Sequence, residues 1–284
     1  MIELLFQGLT LGALYGLIGA GLALSYGILR VVNLAHGEFI TLGAFMAVGL
    51  VAAQATLPLP VVLAGAFGGA ALLGALMQVA FVERAMSFRD PMVAMLVTFG
   101  LAVMIRNGML ETLGANLRGL DVGGLAQARI ELAGQSFGLL PLVTLGIAAA
   151  AFAVLAGLIF RTQFGREVRA VSDRPDIAAM MGIKVARVHA LVAALSAGLA
   201  ALAGVLLAMR ASVSPFSGVA HLLIAFEVVV LGGIGRIRGV LLAGLFLGMV
   251  QVIAQRIDAN AGMLYVHLTF FLALVFRAVT GRLS

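Results

Sequence analysis

Very few residues in this 284-residue chain have side chains that could do chemistry, and they fall in three places. The first is Asn33-Leu-Ala-His36-Gly37-Glu38-Phe39, preceded by Arg30, where an amide, an imidazole, a glycine and a carboxylate interrupt an otherwise apolar sequence. Ionisable groups at membrane depth are costly unless they face water or a partner, so one reading is a solute route lined by Asn33, His36, Gly37 and Glu38. The other is a helix boundary, with Asn33 ending one helix and Glu38 suiting the positive end of the next. A broken helix facing a cavity satisfies both. The second place is Glu227, inside Leu222-Leu-Ile-Ala-Phe-Glu227-Val-Val-Val-Leu. It is either a further group on that route or a structural carboxylate bonded to a neighbouring helix. His221 lies on the same helix but on another face. Arg106 and Glu111, five apart in one apolar run, fit side chains that snorkel outward better than they fit a place on the route.

The third place is Arg161 to Arg187, the one extended charged stretch. Within it, Ser172 or Asp173 can cap a short helix opened by Pro175 and Asp176, with Gly182 as a left-handed stop. Ile177, Met180 and Met181 then share one face. About two turns of helix hold poorly alone in water, so this face suits either a groove on a protein or the membrane surface.

These residues also exclude chemistry. Cysteine is absent, which removes disulfides, thiolate metal sites and cysteine nucleophiles. Lys184 is the only lysine, in Gly-Ile-Lys-Val, so no phosphate-binding loop of the Gly-x4-Gly-Lys-Ser/Thr type exists. The chain does not hydrolyse ATP by that route, so a transporter of this composition is coupled to an ATPase on another chain, coupled to an ion gradient, or passive. No nucleophile and base pair or metal cluster stands out, and no cofactor is expected. The net charge of +6 does not imply nucleic acid, because the arginines flank apolar runs and form no patch with aromatics.

The elements that must position these groups are membrane helices. With 63% hydrophobic and 11% charged residues and 36 glycines, the chain lies far from globular composition. The expected fold is an all-α polytopic membrane protein forming one domain over 1–284. Apolar runs predict spans at about 3–29, 38–56, 59–82, 92–113, 138–160, 188–209, 219–234, 239–257 and 263–279. If the break near residues 30–40 is re-entrant, eight spans remain and the N-terminus changes side. The start lacks the features of a cleaved leader, so the first run is expected in the mature protein.

With 161–187 placed in the cytoplasm, Arg30, Arg84, Arg89, Arg236, Arg238, Arg277 and Arg282 join it, giving 13 of 18 basic residues inside. Arg118, Arg129, Arg210 and Arg256 fall outside. The external loop 114–137 carries one alternating segment, 128–132, that predicts a short strand. Glycines at 8, 12 and 16, 65 and 69, and 244 and 248 predict close helix packing.

Taken together, Asn33 to Phe39, Arg169-Ala-Val-Ser172-Asp173 through Ala178-Ala179 to Gly182-Ile183, and Gly232-Gly233-Ile-Gly235 resemble the permease subunits of ATP-binding-cassette importers for branched-chain amino acids, urea and short-chain amides. The resemblance covers nearly the whole chain. It departs at Arg236 and Arg238, where such permeases often carry Ser and Pro, and at the tail from Arg277 to Ser284. It implies a multi-pass protein of the cell inner membrane that takes up branched-chain or other hydrophobic amino acids. It also implies a coupling segment formed by Glu167, Arg169, Ser172, Asp173, Arg174, Pro175, Asp176, Ile177, Met180, Met181 and Gly182. The partners it implies are ATP-binding subunits, a second permease, an external solute-binding protein and membrane lipid. The alternatives are a permease of the same family for urea or short-chain amides, and a proton-coupled transporter using Glu38 and Glu227.

Overall fold

The computed structural model describes residues 2–88, 90–132 and 135–280. Arg89, Arg282 and the tail 281–284 lie outside the described residues. Nine helices among those described are long and apolar enough to cross a membrane, and their bounds follow the apolar runs closely. They are α1 (Ile2–Leu29), α2 (His36–Ala53), α3 (Leu59–Met77) extended through a π-helical turn (Gln78–Val82) into α4 (Glu83–Met86), α5 (Pro91–Leu113), α6 (Leu139–Arg161), α9 (Val185–Ala208), α10 (Gly218–Gly232), α11 (Ile237–Ile257) and α12 (Gly262–Val279). Between α6 and α9 lie α7 (Gln163–Asp173) and α8 (Pro175–Met180).

The core is α1, buried along most of its length and packed on α9, α10 and α11. Glycine makes this possible. A methyl group on Gly12 would strike the α11 backbone at Leu245, and one on Gly248 would strike Gly12 in return. The two backbones therefore touch where small residues alternate, the packing expected of Gly8, Gly12, Gly16, Gly244 and Gly248. Gly65 and Gly69 instead make room for side chains of α2, the ends of Leu50 and Met46.

The predicted break between the first two spans is present, but it is built differently from expectation. Asn33 does not end α1. The helix stops at Leu29, and Arg30 takes a left-handed backbone conformation (φ 54°). Asn33 instead lies in the connector ahead of α2, its Oδ1 accepting from the Ala35 amide at 3.0 Å. The connector runs back into the bundle, and the ring of His36 reaches the Ile18 carbonyl at 3.0 Å. Ile18 lies eleven residues, about 16 Å, from the end of α1, so α2 starts near mid-depth. Non-helical backbone is tolerated there only when its polar groups are satisfied by protein. Thr98 of α5 does this for one amide, its Oγ1 accepting from the Leu34 amide at 3.1 Å.

At the end opposite α7, the expected single strand is one half of a hairpin, β1 (Arg129–Leu132) with β2 (Gln135–Gly138), antiparallel. The charged stretch 161–187 is also more ordered than a loop with one helix. Thr162 caps α7 by accepting from the Gly165 amide at 3.1 Å, and Val168 and Val171 are buried.

Candidate functional site

Glu38 sits in the first turn of α2, fully buried, and Arg106 of α5 donates to its Oε1 through Nε at 3.1 Å and through Nη2. Arg106 therefore does not snorkel outward as expected. A carboxylate at mid-depth is the better partner, because an unpaired charge of either sign costs several kcal/mol there. Glu111, by contrast, is exposed.

The carboxylate of Glu38 lies against Gly218, the first residue of α10, where an added methyl group would come within 2.6 Å of all three carboxylate atoms. Gly37 meets the Gly218 backbone from the other side. The N-terminal turns of α2 and α10 thus converge on one carboxylate, and both present partial positive charge to it. Glu38 Oε2 and His36 Nδ1 are buried without a hydrogen-bond partner among the described residues. Because the Ile18 carbonyl can only accept, His36 donates to it from Nε2.

Nine residues further along α10, about 13 Å by helical rise, Glu227 is equally buried. Its Oε1 lies 2.6 Å from Nδ1 of His267 on α12. Tyr15 of α1 bonds Gln251 of α11 and lies 3.9 Å from the Met263 sulfur. His221, which the sequence set apart from Glu227, has both ring nitrogens buried and unpartnered among the described residues. In each pair the acid is sealed, with 2% of its side chain exposed, while the base is partly open: 26% for Arg106 and 37% for His267.

The charged segment forms a second assembly. Neither Ser172 nor Asp173 caps the short helix. Both belong to the last turn of α7, and Arg174 occupies the cap position without a side-chain bond. Ser172 Oγ instead donates to the Gly27 carbonyl of α1 at 2.9 Å, and Arg30 donates to the Ser172 carbonyl at 2.8 Å. Arg169 donates to the Ile159 carbonyl and lies over Phe160, 6.0 Å from the ring centre. Among the described residues Glu167 accepts a side-chain hydrogen bond only from Gln163, at 3.4 Å. Pro175 and Asp176 form the first turn of α8, as expected. Its end is a Schellman motif: Gly182 (φ 85°) donates to Ala179 and Ile183 donates to Ala178, at 3.0 and 3.1 Å. Ala178 faces inward, whereas Ile177, Met180 and Met181 are 51, 85 and 79% exposed.

Sequence reasoning missed His267 altogether and misassigned Arg106. Their acids are 40 and 68 residues away, so no local spacing pairs them. The usable signal was global: two acids and a cation inside apolar runs require partners. A third buried pair, His189 Nδ1 with Glu83 at 3.1 Å, supported by Gln78 at 2.9 Å, also went unread.

Comparison with known proteins agrees with this architecture. The sequence profile of a family described as "Branched-chain amino acid transport system / permease component" matches residues 4–278. The chain is 29% identical over 266 residues to the "High-affinity branched-chain amino acid transport system permease protein LivH" of Escherichia coli (strain K12), covering 89% of this chain and 86% of that one. It is 28% identical to the corresponding protein BraD of Pseudomonas aeruginosa, over 88% of this chain and 85% of BraD. Among solved structures, PsaBC from Streptococcus pneumoniae in complex with Fab shares the fold with a TM-score of 0.53 at 12% identity, over 96% of this chain and 89% of that one.

Proposed function

The chain belongs to the permease-component family of branched-chain amino acid transport systems, and from that premise we propose that it is the pore subunit of an ATP-driven importer for leucine, isoleucine, valine or similar hydrophobic amino acids. It is a multi-pass membrane transport protein. Its membrane is the cell inner membrane, the α7 end faces the cytoplasm, and the chain itself performs no covalent chemistry and holds no cofactor. ATP is bound by partner subunits, an external solute-binding protein delivers cargo, and a second permease, similar or identical, completes the route.

The observation that supports this reading most directly is α8. A six-residue helix with Ile177, Met180 and Met181 exposed cannot hold itself in water, and methionine suits an adaptable protein contact. It is also tethered. α8 follows α7, whose last turn is bonded through Ser172 and Arg30 to the end of α1, where the connector to His36, Gly37 and Glu38 begins. A displacement of α8 by an ATPase would therefore reach the start of α2 and its carboxylate through hydrogen bonds and rigid helices, as alternating access requires. Arg106 and His267 add support, since a partly open base at mid-span is costly against lipid and suits a wet route or a second permease.

Replacing Ile177 and Met181 together by Asp tests the docking assignment. Co-purification of the ATP-hydrolysing subunit from detergent is expected to fall at least tenfold, a change of about 1.4 kcal/mol, with the yield of folded permease unchanged. Retention of the subunit at the parent level would refute it.

A further inference from the structure

We propose that this chain holds an anionic phospholipid, with one acyl chain in a groove between α6 and α11 and the headgroup phosphate on Arg236 and Arg238. The site is independent of cargo and rests only on the membrane setting.

The groove is a cavity of about 480 Å³ floored by Leu9 and Ala13 of α1. Its α6 wall is kept low by Ala149, Ala153 and Ala156, and Leu241 and Leu245 of α11 form the facing wall. From Leu145 to Ala156 it extends about 16 Å by helical rise, close to half of the roughly 30 Å hydrocarbon core. That is the depth of one leaflet. Among its lining residues Arg238 alone is charged, and it stands at one end.

At that end a second recess of about 540 Å³ opens, sharing Ile237 and Arg238 with the first and lined also by Phe160, Gly235 and Arg236. Both arginines are exposed. Among the described residues neither forms a salt bridge, and neither side chain donates a hydrogen bond there. Arg169 adds a third guanidinium over Phe160. Charge bias alone would place arginines anywhere along this face. Here they converge on the mouth of an apolar slot one leaflet deep, which is the complement of a lipid with a negative headgroup. Guanidinium forks match phosphate oxygens in pairs, and basic recesses between spans select anionic lipid.

The chain contains no tryptophan, so Phe160→Trp supplies a single reporter at the mouth. The full-length protein is reconstituted in phosphatidylcholine vesicles containing brominated phosphatidylglycerol or brominated phosphatidylcholine. Brominated phosphatidylglycerol is expected to quench at a membrane fraction on the order of tenfold lower, and Arg236→Gln with Arg238→Gln is expected to erase that preference. Native mass spectrometry of the unsubstituted chain should in parallel retain phosphatidylglycerol over phosphatidylcholine, which guards against a reporter that folds poorly. Equal quenching by both lipids, no quenching by either because protein covers the slot, or a preference that survives the double substitution would each overturn the assignment.

Discussion

The two buried carboxylates of this permease look alike until their partners are compared. Glu38 and Glu227 are both sealed from solvent, and among the described residues each bonds one partly open base through Oε1 and leaves Oε2 without a partner. Glu38, however, faces a guanidinium that donates to it from two nitrogens, and two helix N-termini converge on it. Glu227 lies in the tenth residue of α10, far from the positive end, and faces an imidazole that can bond it whether charged or neutral. The first site is committed to an ion pair. The second can exist as a pair of neutral groups, so the same acid type, equally buried, serves two electrostatic designs.

Glu38→Gln should have the largest effect that this contrast implies. It leaves Arg106 charged, three-quarters buried and without its counter-ion, at a cost of about 3 kcal/mol, the low end of the range for breaking a buried pair because the guanidinium is partly open. Thermal stability in detergent should drop sharply, and uptake with it. A melting profile like that of the parent would show that Arg106 finds water in place of Glu38. Gly218→Ala comes next. The added methyl group would press on the Glu38 carboxylate, and relieving it means shifting either the acid or the first turn of α10, a cost of about 1 to 3 kcal/mol. Combining it with Glu38→Ala, which removes the carboxylate, should make the two effects less than additive. Strict additivity would place the strain elsewhere.

What the sequence made legible follows from range. Apolar runs set every span to within a few residues, and the glycine stripes of α1 and α11 marked faces for close backbone packing without naming each other as partners, because both signals are local. Gly182 as a left-handed stop was legible for the same reason. The cap at Ser172 was misread because that residue satisfies a distant carbonyl, Gly27, in place of a nearby amide. Arg106 was read as a snorkelling side chain because five residues to Glu111 were visible and 68 residues to Glu38 were not. Charge partners across a bundle are set by topology, and a single sequence carries that only as a demand that buried charges balance.

Glu227→Gln should have the smallest effect of the series, and it is the one that decides whether the contrast holds. A glutamine keeps the oxygen that His267 reaches, so a neutral imidazole still donates from Nδ1 and no charge is stranded. The cost is then that of exchanging one hydrogen bond for another, about 1 kcal/mol or less. Thermal stability and uptake at neutral pH should stay near those of the parent, in contrast with Glu38→Gln. His267→Ala is the control, since it leaves Glu227 buried with neither oxygen bonded by this partner and should cost more than the amide does. If Glu227→Gln instead destabilised the protein as much as Glu38→Gln, His267 would have to be an obligate cation, and the two sites would be copies of one design.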